Sequence, residues 1–145
     1  DKAGLTDLKN KVILVDFWAV WCPPCRAAFP GLIKLHDNYG KKGLEIVGLT
    51  KYYARNEFKN GKLSNAKGKV SREDEQAMLT AFVKHHKLPY RIQTTPDAFA
   101  AYKVGPIPTA LLIDRKGTVR YVKVGYSVAG MKSLEEKVKS LLDEK

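Results

Sequence analysis

Cysteine is nearly absent, with two among 145 residues. The pair leaves no second set of thiols to complete a zinc site. His36, His85 and His86 do not stand at the spacing of a zinc finger either. Long hydrophobic runs are missing as well, and none approaches the length needed to cross a bilayer. Acidic residues are in deficit, 15 against 26 basic ones, for a formal net charge of +11. Such a balance suits nucleic acid, an anionic surface or an acidic partner. No nucleic-acid motif accompanies the charge, so nucleic acid is not expected as a partner. At 44% hydrophobic and 28% charged residues the chain is globular rather than disordered. Its length suits one domain, 1–145, expected to be monomeric. It begins at Asp1 rather than Met, consistent with a mature form from which a signal or an anchor has been removed. Two cysteines in one motif suit a reducing or an oxidising compartment equally.

Those two cysteines lie in the stretch that organises the chain, Val12-Ile-Leu-Val-Asp-Phe-Trp-Ala-Val-Trp-Cys-Pro-Pro-Cys-Arg26. Its first part is an apolar run with one charge, Asp16, and reads as a strand buried on both faces. A carboxyl there is costly unless paired, hydrogen-bonded or neutral. It is read as a proton-handling group behind the thiols, or else as an outward-pointing residue at the sheet end. The pattern that follows predicts a helix from about Pro23 to Tyr39, with Pro23 and Pro24 in the first turn, where a missing N–H is harmless. Cys22 then stands at the helix N-terminus and Cys25 one turn inside. A helix N-terminus favours a thiolate, and the pair can close a short disulfide, which is what a reversible dithiol couple requires. The competing readings are two ligands for a soft metal ion such as Cu(I) and a static pair. A static disulfide over so short a loop gains little from chain entropy, and the redox reading is adopted.

The rest of the chain is read in order. Leu5 and Leu8 anchor a polar entry segment. Phe29, Leu32, Ile33 and Leu35 give the first helix its apolar stripe, and Pro30 is expected to kink it. Leu44–Thr50 is a second buried strand, parallel to the first through a βαβ crossover. Residues 51–70 read as a long basic loop: Lys51, Arg55, Lys59, Lys62, Lys67 and Lys69 stand against Glu57 alone. This insertion leaves the second strand at the dithiol edge and is expected to border the site and favour acidic partners. Ser71 caps a second helix whose buried face is expected to be Ala77, Met78, Ala81 and Phe82, with His85 and His86 complementing its C-terminal dipole. A short strand over 88–93 and a short helix from Thr95-Pro96-Asp97 follow. Ala110–Ile113 and Thr118–Val124 form an antiparallel pair about the turn Asp114-Arg-Lys-Gly117. Leu134, Val138, Leu141 and Leu142 place a C-terminal helix on the sheet.

Val15-Asp-Phe-Trp-Ala19, Trp21-Cys-Pro-Pro-Cys25, Pro30 and Ile107-Pro-Thr109 resemble the thioredoxin superfamily. Leu5-Thr-Asp-Leu-Lys9, Arg26 and Ile113-Asp114 with Gly117 look like its TlpA/ResA-like branch of thiol:disulfide oxidoreductases, a redoxin-type domain. The resemblance implies an α/β, three-layer fold, a central mixed sheet with helices on both faces. It implies a protein-disulfide reductase with Cys22 as exposed nucleophile, Cys25 as resolving thiol and Asp16 as the buried carboxylate. It implies that Trp21, Pro23, Pro24, Ile107 and a cis Pro108 face the substrate, with no cofactor beyond the Cys22–Cys25 disulfide. It also implies protein disulfide substrates, a membrane-side or thioredoxin-type electron donor, and an extracytoplasmic location. Two positions depart from the pattern: Ala28 where the branch usually has Glu, and Gly48 where thioredoxins tend to have a lysine near the aspartate.

Overall fold

The computed structural model describes residues 8–144. β1 (Val12–Phe17) is fully buried, as its apolar composition requires. Helix α1 (Pro23–Tyr39) and a 3₁₀ turn at Gly40–Lys42 lead into β2 (Leu44–Thr50). β2 lies parallel to β1, with Val12 opposite Leu44 and Asp16 opposite Gly48. A hairpin of β3 (Asn56–Lys59) and β4 (Lys62–Asn65) precedes α2 (Arg72–His85). Then come β5 (Arg91–Thr94), α3 (Pro96–Ala101), β6 (Thr109–Ile113), β7 (Val119–Val124) and α4 (Val128–Asp143). The main sheet runs β5-β2-β1-β6-β7. β5 is parallel to β2, while β6 and β7 are antiparallel to their neighbours, so the sheet is mixed.

The period of two in β1 sorts the core. Val12, Leu14 and Trp18 join Leu32 and Leu35 of α1, Met78 and Phe82 of α2, and Leu134, Val138 and Leu141 of α4. Ile13, Val15 and Phe17 face the other way, against Leu8 and Phe99 of α3. Asp16 shares parity with Leu14, so it points to the α1 side. Trp18, Phe29 and Phe82 form an aromatic nucleus there, with Trp18 stacked 5.8 Å from Phe82. Burying a side chain such as Phe82 is worth about 1.5–3 kcal/mol. Ser71 and Ser127 cap α2 and α4, accepting from the N–H of Asp74 and Gly130. Each cap contributes about 1 kcal/mol.

Two expectations are corrected. The 51–70 segment is not one loop, because its middle pairs as β3–β4 around Asn60-Gly61. Both turn residues have positive φ, 51° and 74°, the backbone that an Asn-Gly hairpin turn uses. Ala77 and Ala81 are exposed on α2, where they line a cavity beside the hairpin, and Leu79 and Glu75 take the buried places, Glu75 because its carboxylate accepts backbone N–H groups of the segment after β2. His85 and His86 do more than complement a dipole: His86 packs 4.3 Å from Phe82, and Phe58 of β3 packs on His85 at 5.3 Å. Pro30 lies inside α1, as expected, on its exposed side. Leu5, expected as an anchor beside Leu8, lies outside the described residues.

Gly48 marks a close approach. A Cβ there would lie 2.7 Å from Ile92 Cδ1 and 3.0 Å from Trp18 Nε1. Gly48→Ala is therefore expected to lower stability by about 1–3 kcal/mol through overpacking. Urea unfolding monitored by Trp fluorescence checks this, and an unchanged midpoint would show that Ile92 gives way freely.

Candidate active site

The site forms at the C-terminal ends of the parallel strands, where sites on such sheets gather. β1 ends at Phe17, and the turn Trp18–Trp21 delivers Cys22 as the N-cap of α1. Its backbone is extended, and its Sγ accepts from the Cys25 N–H at 3.3 Å. Arg26 Nη1 donates to the Val20 carbonyl at 2.6 Å and pins that turn. Cys22 and Cys25 are joined as a disulfide, with Cα atoms 5.2 Å apart. Cys25 is 0% exposed and Cys22 3%, so both are buried, with Cys22 the nearer to solvent. Pro23 and Pro24 beside it are exposed and Trp21 is half-buried.

The Ile107–Pro108 bond is cis. Ile107 presents its carbonyl 3.7 Å from Cys22 Sγ. The neighbouring Pro108 carbonyl is occupied, accepting from the Gly125 N–H at 2.7 Å, and the Pro108 ring is buried. Ile107 thus carries the backbone groups that remain at the site.

Asp16 lies on the α1 side of the sheet, 3% exposed, and its Oδ2 has no hydrogen-bond partner among the described residues. Burial pushes its carboxyl from 3.8 up to about 7, with Lys123 opposing. The register explains that lysine: Asp16 stands opposite Ala110 on β6, and Ala110 opposite Lys123 on β7. The three share one face, so a cation two strands away reaches the carboxyl. Burial in turn holds the Lys123 ammonium below its ordinary value. Lys123 Nζ donates to the Gly125 carbonyl at 2.6 Å, and Gly125 holds Pro108, so the lysine ties the aspartate to the cis-proline loop. Sequence reasoning missed Lys123 because nothing local couples β7 to β1. The lysine that thioredoxins tend to carry at position 48 has no room here, and Lys123 instead approaches Asp16 on the same face from the β6–β7 side of β1. Tyr90 also lies within reach of Asp16. Burial, and secondarily the Asp16 charge, hold its phenol well above its ordinary value.

Ala28, one turn beyond Cys25, is buried at 4% exposure within the apolar α1 face. No acid replaces the usual glutamate at that position, and Ala28→Glu would place a carboxylate in the core.

The segment between β2 and β3 borders the site, as expected of the insertion, through Tyr53 and Arg55 at its start. Tyr53 and Arg55 pack on Trp21: the Tyr53 ring lies 5.2 Å from the indole and the Arg55 guanidinium 4.9 Å. Lys59 and Lys62 flank the far turn of the hairpin. At ~3.3 Å per residue, Lys59 lies roughly 13 Å along β3 from Arg55. Glu75 is a second residue that sequence reasoning did not single out. Its buried carboxylate accepts from the N–H groups of Tyr53 at 2.7 Å and Ala54 at 2.9 Å.

Comparison with known proteins agrees with this geometry. The redoxin family model matches residues 2–141. A thiol-disulfide oxidoreductase ResA from Bacillus cereus is 31% identical over 120 residues, covering 81% of this chain and 57% of that protein. ResA of Geobacillus thermodenitrificans is likewise 31% identical, over 83% of this chain and 59% of its own. The chain thus spans a little over half the length of these relatives. Among solved structures, a Chlorobium tepidum protein described as the thiol:disulfide interchange protein DsbE superposes with a TM-score of 0.74 at 27% identity, covering 95% of this chain and 84% of that one. A thiol-disulfide isomerase from Corynebacterium glutamicum, 21% identical, shares the fold with a TM-score of 0.74 over 100% of this chain and 89% of its own. With the family model matched over almost its whole length and a Cys-Pro-Pro-Cys disulfide facing a cis-proline loop, the chain belongs to the redoxin family, as a ResA-like member of the thioredoxin superfamily.

Proposed function

We propose that the protein is a thiol:disulfide oxidoreductase that reduces disulfides in other proteins. The observation that carries this reading is the Cys22–Cys25 disulfide at the start of α1, with the Ile107 carbonyl 3.7 Å from Cys22 Sγ. In the reduced protein the Cys22 thiolate, favoured at the helix N-terminus, attacks one sulfur of a substrate disulfide. A Cys22–substrate bond forms, and the other substrate sulfur leaves as a thiolate that takes up a proton. Cys25 then passes its proton to Asp16 and attacks Cys22 Sγ. The mixed disulfide breaks, the Cys22–Cys25 disulfide forms, and the second substrate thiol leaves. Two electrons pass to the substrate, and a dithiol donor on the membrane side or of thioredoxin type returns them. The substrate chain lies as an extended segment along Ile107, over Trp21 and the exposed Pro23 and Pro24. The likeness to ResA supports an extracytoplasmic setting, and the protein is read as acting as a monomer. Among the described residues no helix is long and apolar enough to cross a membrane.

The test is catalytic reduction of insulin disulfides with dithiothreitol as donor, set beside a Cu(I) titration of the reduced protein. Acceleration over dithiothreitol alone, lost in Cys22→Ser, is the expected result. Tight copper binding with no acceleration would instead favour the soft-metal reading of the same thiols.

A further inference from the structure

The insertion after β2 brings cations to the dithiol edge. Arg55 is exposed, its guanidinium packed against the Trp21 indole at 4.9 Å. Lys51 lies over the Phe99 ring at 4.8 Å and the Tyr53 ring at 5.5 Å. Arg26 follows Cys25 directly and donates one nitrogen to the Val20 carbonyl. Among the described residues none of the three makes a salt bridge. Tyr53 lies edge-on to Trp21, so Lys51, Tyr53, Trp21 and Arg55 touch one after the next, and Trp21 directly precedes Cys22.

This arrangement is built from below. The Glu75 carboxylate, buried at the first turns of α2, accepts two successive N–H groups, those of Tyr53 and Ala54. Ala54 has φ of 54°, a left-handed backbone that a non-glycine residue keeps only when its surroundings hold it. The clamp orders the residues immediately before Arg55. The guanidinium can then lie on the indole and offer its N–H groups to a carboxylate, which arginine binds in a planar fork.

We propose that Arg55, positioned by Glu75, selects protein disulfides flanked by an acidic residue. It does so by pairing with that carboxylate while the substrate sulfur sits on Cys22. The proposal rests on the reading of the protein as a disulfide reductase and names the substrate class of that site. Lys59 and Lys62 carry the same charge sign but stand at the far end of the hairpin, and Lys59 is paired with Glu57 at 3.3 Å.

Two disulfide peptides, alike except for Glu or Gln beside one cystine, test this with the reduced full chain. The wild type is expected to show kcat/KM about fivefold higher for the acidic peptide at low salt, the scale of one exposed ion pair. That ratio should shrink toward one at high salt. Arg55→Gln brings it to about one, Arg55→Lys retains part of it, and Lys59→Gln keeps it in full. Glu75→Gln, which turns one acceptor into a donor, lowers it by loosening the clamp. A wild-type ratio of one, or a ratio that survives in Arg55→Gln, overturns the proposal. A folded Glu75→Gln protein with the full ratio removes Glu75 from it. Failure to reduce either peptide instead removes the reductase reading on which the proposal stands.

Discussion

Cys25→Ser is expected to turn the protein into a covalent trap. Cys22 keeps its place as the α1 N-cap, so its thiolate still attacks a substrate disulfide. The thiol that would break the mixed disulfide is gone. In the wild type that thiol is bonded within the same helical turn, with Cα atoms only 5.2 Å apart. Intramolecular attack of this kind enjoys effective molarities of ~10⁵ M or more in favourable cases, against millimolar external thiol. Turnover should therefore fall by well over about 100-fold, and a stable adduct should accumulate, visible as a mass increase on non-reducing gels. Cys22→Ser should give no adduct and no turnover. In the reduced wild type, limiting iodoacetamide should label Cys22 first, because Cys25 is wholly enclosed. Adduct formation by Cys22→Ser in place of Cys25→Ser would reverse the two roles.

Asp16→Asn is expected to pull catalysis and stability in opposite directions. With burial raising its carboxyl to about 7, Asp16 stands near half-ionisation at neutral pH, where a proton acceptor is most effective. Asparagine fills the same volume but takes no proton. Resolution of the mixed disulfide should slow by on the order of 10²-fold, and its rise through pH 7 should flatten. Stability moves the other way. The folded value lies above 3.8, so between about 4 and about 7 the native state holds a proton that the unfolded chain has lost. Wild-type stability thus declines as pH rises through that window and stays lower above it. Asparagine carries no such penalty. The variant should match the wild type near pH 4 and exceed it by a few kcal/mol above pH 7, since each tenfold difference in proton affinity is worth about 1.4 kcal/mol. Stopped-flow rates and urea midpoints against pH check the two halves separately. A variant with wild-type resolution rates across that range would break the proton route through Asp16. A midpoint difference independent of pH would show that the carboxyl is not strained by burial.

Much of this site is legible in the chain itself. The apolar run before Asp16 specifies a doubly buried strand, and period-two alternation puts the carboxyl on the same face as Leu14. The prolines after Cys22 specify a helix start, which makes Cys22 an N-cap and leaves Cys25 a turn inside. The turn at Asp114–Gly117 specifies the antiparallel return of β7, and Ser71 the start of α2. These are short-range signals: caps, turns and periodicities act over a few residues, and burial follows from them. The Asn60-Gly61 turn is also of this kind, but the polar residues around it mask four-residue strands that become stable only against α2.

The encounters that tune the site belong to the tertiary structure alone. Lys123 faces Asp16 only because β6 and β7 stack beside β1 in that order. Glu75 reaches the backbone of Tyr53 and Ala54 only because α2 returns past the end of β2, and Arg55 meets Trp21 for the same reason. In each of these pairings the partners are 20 to more than 100 residues apart, so no local pattern joins them. Sequence determined the two thiols, the carboxyl and the elements that carry them. Strand order and helix packing decided which distant charges surround them, because Coulomb forces and close packing depend on distance in space and not on distance along the chain.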